Sequence, residues 1–333
     1  MITSLAYLGL KSPKAHEWPE MATRFWGAMV IEPGPDGSVR LKFDDADWRM
    51  QIHPGEQDET AYLGWGVDHE EDLDLVEKAL ADLGVSSERG DLDLAQARSV
   101  NRILVFTDPW GFRHEVTWGQ SHVRSSFAPT RPITGFITGQ QGLGHVLLLM
   151  PDIEAGHAFF TRLGFRLSDK IIVPGRLNAR FYHCNARHHT LALGQGPPGV
   201  AGLNHLMIQV GSIDDVGTGY EIAQEMGVPL TLTLGRHSND QQFSFYHSTP
   251  SSLHVEYGFG GLEVEEETWV PRVFDRTAVW GHQQHPDAKG RPPGIMHPLP
   301  GTGEQGTGDV APDAAEDAGA GAPPVPTASG DGA

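Results

Sequence analysis

The chain repeats itself four times, which limits it to folds assembled from one small unit. Four amphipathic helical stretches each end in a bulky residue, a glycine and an apolar residue: Trp26-Gly27-Ala28, Leu83-Gly84-Val85, Leu163-Gly164-Phe165 and Met226-Gly227-Val228. Glycine just past a helix suits a left-handed C-cap, where a Cβ would clash. A strand-like run precedes each helix, at 4–10, 61–67, 142–150 and 203–210, and short β-rich runs follow, such as Arg102–Thr107 and 113–117. Asp152 and Asp214 suit N-caps or first-turn acids of the last two helices. The unit is therefore a strand, a helix and up to three strands. Gly27 and Gly164 lie 137 positions apart, and Gly84 and Gly227 lie 143 apart, so units one and two correspond to units three and four. The expected fold is α+β, with four βαβββ modules paired into two open β-barrel-like domains and helices outside. Residues 1–122 make the first domain, 123–141 a linker rich in turn formers, and 142–297 the second domain. From 298 to 333 the chain is Gly, Ala, Pro and acidic residues without periodicity, the composition of a disordered tail.

The two halves differ at three equivalent places. Aligning SLAYLGL with GLGHVLL sets Tyr7 against His145, aligning AYLGWGV with NHLMIQV sets Tyr62 against His205, and aligning DPWGFRHEV with TPSSLHVEY sets Glu115 against Glu256. The second half thus carries two histidines and a carboxylate at strand positions where the first half has two tyrosines and a carboxylate. Two neutral imidazoles and one carboxylate on one face form the ligand set of non-haem Fe(II) oxygenases. Three protein ligands leave up to three open positions; a catecholate needs two and O2 the third. Any one of these residues alone is more readily a hydrogen-bonded core group. It is their joint appearance at repeat-equivalent positions that selects the ligand reading. The first half, with Tyr7 and Tyr62, is expected to hold no metal, and Glu115 is expected to be a structural carboxylate.

Composition removes several alternatives. The 333 residues carry a formal net charge of -19, from 24 Lys+Arg against 43 Asp+Glu. Such a surface repels nucleic acid and anionic membrane, so neither is an expected partner. The single cysteine, Cys184, excludes an intramolecular disulfide framework and a CxxC zinc site, suits a cytoplasmic location, and reads as a small buried residue. The N-terminus lacks the basic and apolar pattern of a signal peptide, and no apolar run is long enough to span a bilayer.

Around the three candidate ligands the sequence resembles the two-domain extradiol ring-cleavage dioxygenases of the vicinal oxygen chelate superfamily, and within them the 2,3-dihydroxybiphenyl 1,2-dioxygenase group. The motifs are GQQGLGHVLL (139–148), FYHCNARHHTLAL (181–193), LNHLMIQV (203–210), LGRHSND (234–240), FSFYHSTPSSLHVEYG (243–258) and VWGH (279–282). The resemblance covers about residues 1–285 and is strongest in the second half. It implies Fe(II) as cofactor, a catechol and O2 as substrates, and a homo-oligomer, as is common in such families; the same ligand set also accepts Mn(II) as a substitute. It also implies roles: His145, His205 and Glu256 as iron ligands, His189 as the acid/base, His237 and Tyr246 as contacts to the catechol oxygens, and Asn239 and Asp240 as their supports. On a strand His188 points away from His189, which gives it a structural role. His183 and His254 are expected at packing or surface positions. Three departures stand out: the segment 168–180 is short for the family, His247 stands where a smaller or apolar residue is expected, and the tail has no counterpart. Two alternatives remain open at this point: a divalent-metal, glyoxalase-like isomerase, and a metal-free small-molecule binding protein of the same fold.

Overall fold

A computed structural model describes residues 1–122 and 125–301 of the chain. All four repeats take the βαβββ form. The first runs through strands Ile2–Ser12, Met29–Ile31, Val39–Lys42 and Met50–Pro54, with helical turns between the first two. The second uses Glu59–Val67, helix Asp72–Asp82, then Ser87–Arg89, Arg102–Thr107 and Arg113–Trp118. The third uses His145–Met150, helix Ile153–Arg162, then Arg166–Val173, Leu177–His183 and Leu191–Gln195. The fourth uses Val200–Gln209, helix Ile213–Glu225, then Leu230–His237, Phe243–Ser248 and His254–Phe259.

The helix punctuation follows from local chemistry. Gly27, Gly84, Gly164 and Gly227 all take positive φ, between +67° and +102°. The Asp152 carboxylate caps its helix by accepting from the Ala155 amide at 2.9 Å. In the fourth repeat Ser212 is the cap, accepting from Asp214 N–H at 3.1 Å, so Asp214 is a first-turn acid and not the cap itself. The first helical stretch is irregular, ending in a π-helical turn over Met21–Trp26.

Modules one and two join through the antiparallel pair Ile2–Ser12 and Glu59–Val67 at the middle of an eight-stranded sheet. Modules three and four join in the same way through His145–Met150 and Val200–Gln209, within an eleven-stranded sheet. The second sheet is larger because the chain continues past the repeat. Arg272–Phe274 pairs with Arg166–Val173 at one edge, Ala278–Gly281 pairs with Leu230–His237 at the other, and Ile295–Pro298 pairs with Val200–Gln209. Residues 262–282 therefore strap the two edges together, an element that the fourfold pattern does not contain.

The halves share one core. Phe25 and Trp26, fully buried at the end of the first helical stretch, pack against Tyr257 and His247 of the second half. Trp26 Nε1 donates to His247 Nε2 at 3.1 Å, which is why a histidine occurs where an apolar residue was expected. The described part of the 123–141 segment lacks strands but is not loose. Arg131, buried, donates to the Phe25 carbonyl at 2.6 Å and to the Tyr257 hydroxyl at 2.8 Å. The expected start of the tail at 298 falls too early. Pro298 ends a paired strand and Leu299 N–H donates to the Gly199 carbonyl at 3.0 Å; residues 302–333 lie outside the described residues. Among the described residues no helix is long and apolar enough to cross a membrane.

Candidate metal centre and active site

The sheet register places the three expected ligands together. His145 pairs with Met207, and Met207 pairs with Glu256, so the three residues form one row across adjacent strands. His205 lies two residues before Met207 and therefore on the same face. The Nε2 atoms of His145 and His205 are 3.2 Å apart, and Glu256 Oε2 lies 3.3 Å from the first and 3.8 Å from the second. All three side chains are buried. Metal bonds of roughly 2.1 Å at right angles put donor atoms about 3 Å apart, so the spacing fits one octahedral face.

Proton bookkeeping supports the same fit. Asn204 donates through its amide to the Pro293 carbonyl at 2.6 Å, which turns its oxygen to His205 Nδ1 at 2.7 Å. His205 therefore carries its proton on Nδ1 and presents a lone pair at Nε2. That lone pair faces His145 Nε2 and a carboxylate oxygen. Two imidazole nitrogens and a carboxylate oxygen converging in a buried place are a donor set suited to a divalent cation. Burial, helped by the neighbouring His145, pushes His205 down to about 3, so protonation does not readily supply that charge. Burial also opposes charge on Glu256, but hydrogen bonds with His145 and His237 outweigh it and hold the carboxyl well below its usual range. Ser244 Oγ donates to Glu256 Oε1 at 2.6 Å.

The remaining expected residues gather around this centre. The His189 ring lies 3.8 Å from that of His145, centroid to centroid, and its edge meets Phe181 at 4.9 Å. Burial, then the neighbouring His145, pushes its pKa well down, which favours the uncharged ring. His237 Nε2 is 2.8 Å from the Tyr246 hydroxyl and 3.3 Å from Glu256 Oε1, while its Nδ1 donates to the Thr277 carbonyl at 3.0 Å. Tyr246 pairs in register with Glu256 on the neighbouring strand, and burial, then Glu256, raises its pKa. Asn239 donates to Asp169 at 3.3 Å, and Asp240 Oδ1 accepts the Gln242 amide at 2.9 Å.

One expectation needs correcting. His188 and His189 do not lie on a strand; they sit in a bend between Leu177–His183 and Leu191–Gln195. Alternation therefore does not apply, and both rings are buried with their Nδ1 atoms 3.1 Å apart. His183 is a packing residue, buried and bonded to Ser168 at 2.8 Å, and Cys184 is buried with its thiol pushed up to about 12 by burial. His254 is partly buried, and burial lowers it to about 4. Ser244, Asn204, Asp169 and His282 were not singled out from the sequence. His282 lies within VWGH, delivered by the strap, and its ring lies 4.1 Å from that of His237, tilted by 48°. Only that motif, quoted without a role, signalled it.

In the first half the same register recurs: Tyr7 pairs with Gly64, Gly64 with Glu115, and Tyr62 lies two residues before Gly64. Tyr7 donates to Glu115 at 2.8 Å. Arg98 Nε donates to the same carboxylate at 2.7 Å with its guanidinium 3.8 Å over the Tyr62 ring, and Arg113 adds contacts at 3.0 and 3.1 Å. Tyr62 itself bonds His53 and Gln51.

Comparison with known proteins gives the family. Residues 142–257 match the Glyoxalase/Bleomycin resistance protein/Dioxygenase superfamily, and residues 5–55 match the first domain of dihydroxybiphenyl dioxygenase BphC. The chain belongs to the extradiol ring-cleavage dioxygenases of the vicinal oxygen chelate superfamily. It is 38% identical to a biphenyl-2,3-diol 1,2-dioxygenase of Pseudomonas sp. strain KKS102, over 85% of this chain and 97% of the relative. An iron-dependent extradiol dioxygenase of Rhodococcus jostii is 35% identical, over 84% of this chain and 97% of the relative. Among solved structures, a halotolerant catechol dioxygenase superposes with a TM-score of 0.85 at 41% identity, covering 90% of this chain and 99% of that one.

Proposed function

We propose that this chain opens the ring of a substituted catechol, such as 2,3-dihydroxybiphenyl, at the bond beside its two hydroxyls. Both atoms of one O2 enter the product, a ring-opened hydroxy-dienoate bearing an aldehyde or ketone. The observation that carries this reading is the meeting of His145, His205 and Glu256 on one buried face beside His189, His237 and Tyr246. His145, His205 and Glu256 would hold Fe(II); the same donor set accepts Mn(II). The metal supplies Lewis acidity toward the catechol hydroxyls and a route for electrons between ring and O2.

The chain's own side chains do the rest. The buried, uncharged His189 can accept a proton and later return it, as a positioned general acid/base does. Tyr246 and His237, already bonded to each other, orient the catechol oxygens, and Glu256 keeps His237 in place. Asn239 and Asp240 support that arrangement through Asp169 and the Gln242 amide. The substrate-binding set is thus His189, His237, Asn239, Asp240 and Tyr246. The relatives that act on biphenyl-2,3-diol favour a ring bearing a bulky group next to the hydroxyls.

The test is oxygen uptake after anaerobic Fe(II) loading, across a panel of 3-substituted catechols. One O2 consumed per ring opened is expected, with the highest kcat/KM for a bulky 3-substituent. Turnover without O2 uptake would replace this reading with an isomerase, and catechol binding without turnover would replace it with a binding protein.

A further inference from the structure

Behind His189 runs a chain of buried polar groups, His188 and Asp169, to which the reaction described above gives no part in handling the proton. His188 Nε2 lies 2.9 Å from Asp169 Oδ2, and His188 Nδ1 lies 3.1 Å from His189 Nδ1. His188, His189 and Asp169 are all buried. The far end is anchored, because Asp169 Oδ1 accepts from Asn239 at 3.3 Å. The middle is anchored as well. His188 N–H donates to the Leu262 carbonyl at 3.2 Å, Ser168 Oγ donates to the His188 carbonyl, and the ring meets the Trp269 indole edge-on at 5.4 Å. Trp269 is itself tied to the Ser168 carbonyl at 2.8 Å. The His188 ring therefore has one place to be.

These contacts fix where the ring protons sit. A carboxylate only accepts, so His188 Nε2 carries the proton that faces Asp169. In the neutral ring His188 Nδ1 is then an acceptor. The partner at 3.1 Å must donate, so His189 carries its proton on Nδ1. That leaves the lone pair of His189 on Nε2, the atom turned away from His188. The other candidate acceptor for His189 Nδ1–H, Asp240 Oδ2, is 3.7 Å away, beyond hydrogen-bond reach.

We propose that His188 and Asp169 are positioning residues for His189, holding its ring in the one tautomer whose Nε2 can take a proton in the active site. The inference rests on the acid/base role given to His189 above. It makes a specific claim about polarity. Asp169→Asn is nearly isosteric, yet its amide can donate to His188 Nε2. His188 would then carry its proton on Nδ1 and donate to His189, whose proton would move to Nε2. The base would be lost without any change in shape.

The experiment uses the full-length, iron-loaded enzyme and four variants: His189→Gln, Asp169→Asn, His188→Asn and His188→Gln. The Asn side-chain oxygen can stand near the place of the ring Nδ1 and keep an acceptor for His189. The Gln amide reaches the place of Nε2 and leaves His189 without one. Asp169→Asn and His188→Gln should lower kcat by roughly 10²–10⁴-fold. KM, anaerobic catechol affinity and iron content should stay at wild-type levels, and His188→Asn should stay within about threefold of wild type on the same reasoning. A packing role would make the smaller Asn the worse substitute. If His188→Gln is as active as His188→Asn, or more so, the proposal is overturned and His189 is held by Asp240 or by the ring stack on His145. His189→Gln separates the two levels of the argument. A wild-type kcat there would remove the acid/base role itself, whereas a crippled His189→Gln beside an unimpaired Asp169→Asn would overturn only the positioning role.

Discussion

His247 gives the fold a calculable sensitivity to acid. The ring is fully buried between the halves, accepting the Trp26 indole N–H at 3.1 Å and donating from Nδ1 to the Ser248 carbonyl at 2.9 Å. Burial pushes its pKa down to about 3; the Ser248 carbonyl works against that shift, and His254 adds to it. An exposed histidine in the unfolded chain titrates near 6.5. Above that pH neither state is protonated, and the ring contributes no pH dependence. Between about 6.5 and 3 the unfolded chain takes up a proton that the folded chain excludes, so stability falls as pH falls, by about 1.4 kcal/mol per unit. At pH 5.0 the loss is about 2 kcal/mol. His247→Gln keeps an acceptor for Trp26 but cannot titrate. The variant should be less stable than wild type at pH 7.5, through imperfect packing, and the gap should close by about 2 kcal/mol at pH 5.0. Urea unfolding of both proteins at the two pH values measures this directly, since the other buried histidines titrate alike in both and cancel. A gap that stays constant within about 0.5 kcal/mol would show that His247 is not the proton-excluding group that its burial implies.

Three more outcomes are expected. Alanine at His145, His205 or Glu256 should abolish activity and iron retention together, read by metal analysis beside oxygen uptake; a fully active variant would remove that residue from the ligand set. Arg98→Met should cost about 3 kcal/mol in urea unfolding, because it strips a buried carboxylate of its main cation, and adding Glu115→Gln should recover much of the loss; simple additivity would show that the pair is not coupled. Removal of residues 302–333 should leave kcat and KM nearly unchanged, because that composition buries little apolar surface, and a large fall in turnover would show that the segment reaches the active site.

Much of this architecture is legible in the sequence, for a definite physical reason. A module that cannot bury its own hydrophobic face must recur, and recurrence leaves a period that survives the divergence of the modules. The candidate ligand set is legible through the same period, because His145, His205 and Glu256 fall where Tyr7, Tyr62 and Glu115 fall. The supporting groups were not, because each acts across a distance that no local pattern records. Asp169 reaches His188 from 19 residues away, and His282 reaches Ser244 from 38. The strap over 262–282 lies outside the repeat, so no internal comparison could assign it. His188 was misplaced because adjacent residues alternate only on an extended strand, and the chain bends there. The bend is itself fixed by remote partners, including the hydrogen bond from His188 N–H to Leu262.

The two halves also show what keeps a buried carboxylate in place through a duplication. Glu115 and Glu256 occupy the same row of their sheets, each with essentially no exposed surface. A carboxylate so placed needs compensating positive charge or it would take up a proton. In the first half Arg98 and Arg113 bring that charge on side chains, and Arg98 comes from Leu92–Arg98, a helix inserted between strands Ser87–Arg89 and Arg102–Thr107. The tyrosines fit this filled arrangement. A Cβ at Gly64 would lie 2.3 Å from the Tyr7 ring, and one at Gly9 would lie 2.2 Å from the Tyr62 ring, so both rings depend on glycine beneath them. The second half has Met207 in place of Gly64 and Leu147 in place of Gly9, residues that leave no such bed for a tyrosine ring. What faces Glu256 instead is a set of imidazoles: His145 and His205 at 3.3 and 3.8 Å, and His237 at 3.3 Å, where burial opposes the ring's charge but the Glu256 carboxylate outweighs it and raises His237 to about 9. One imidazolium thus stands where the first half carries two guanidiniums, and the divalent ion proposed for His145, His205 and Glu256 would bring further positive charge in the form that also does chemistry.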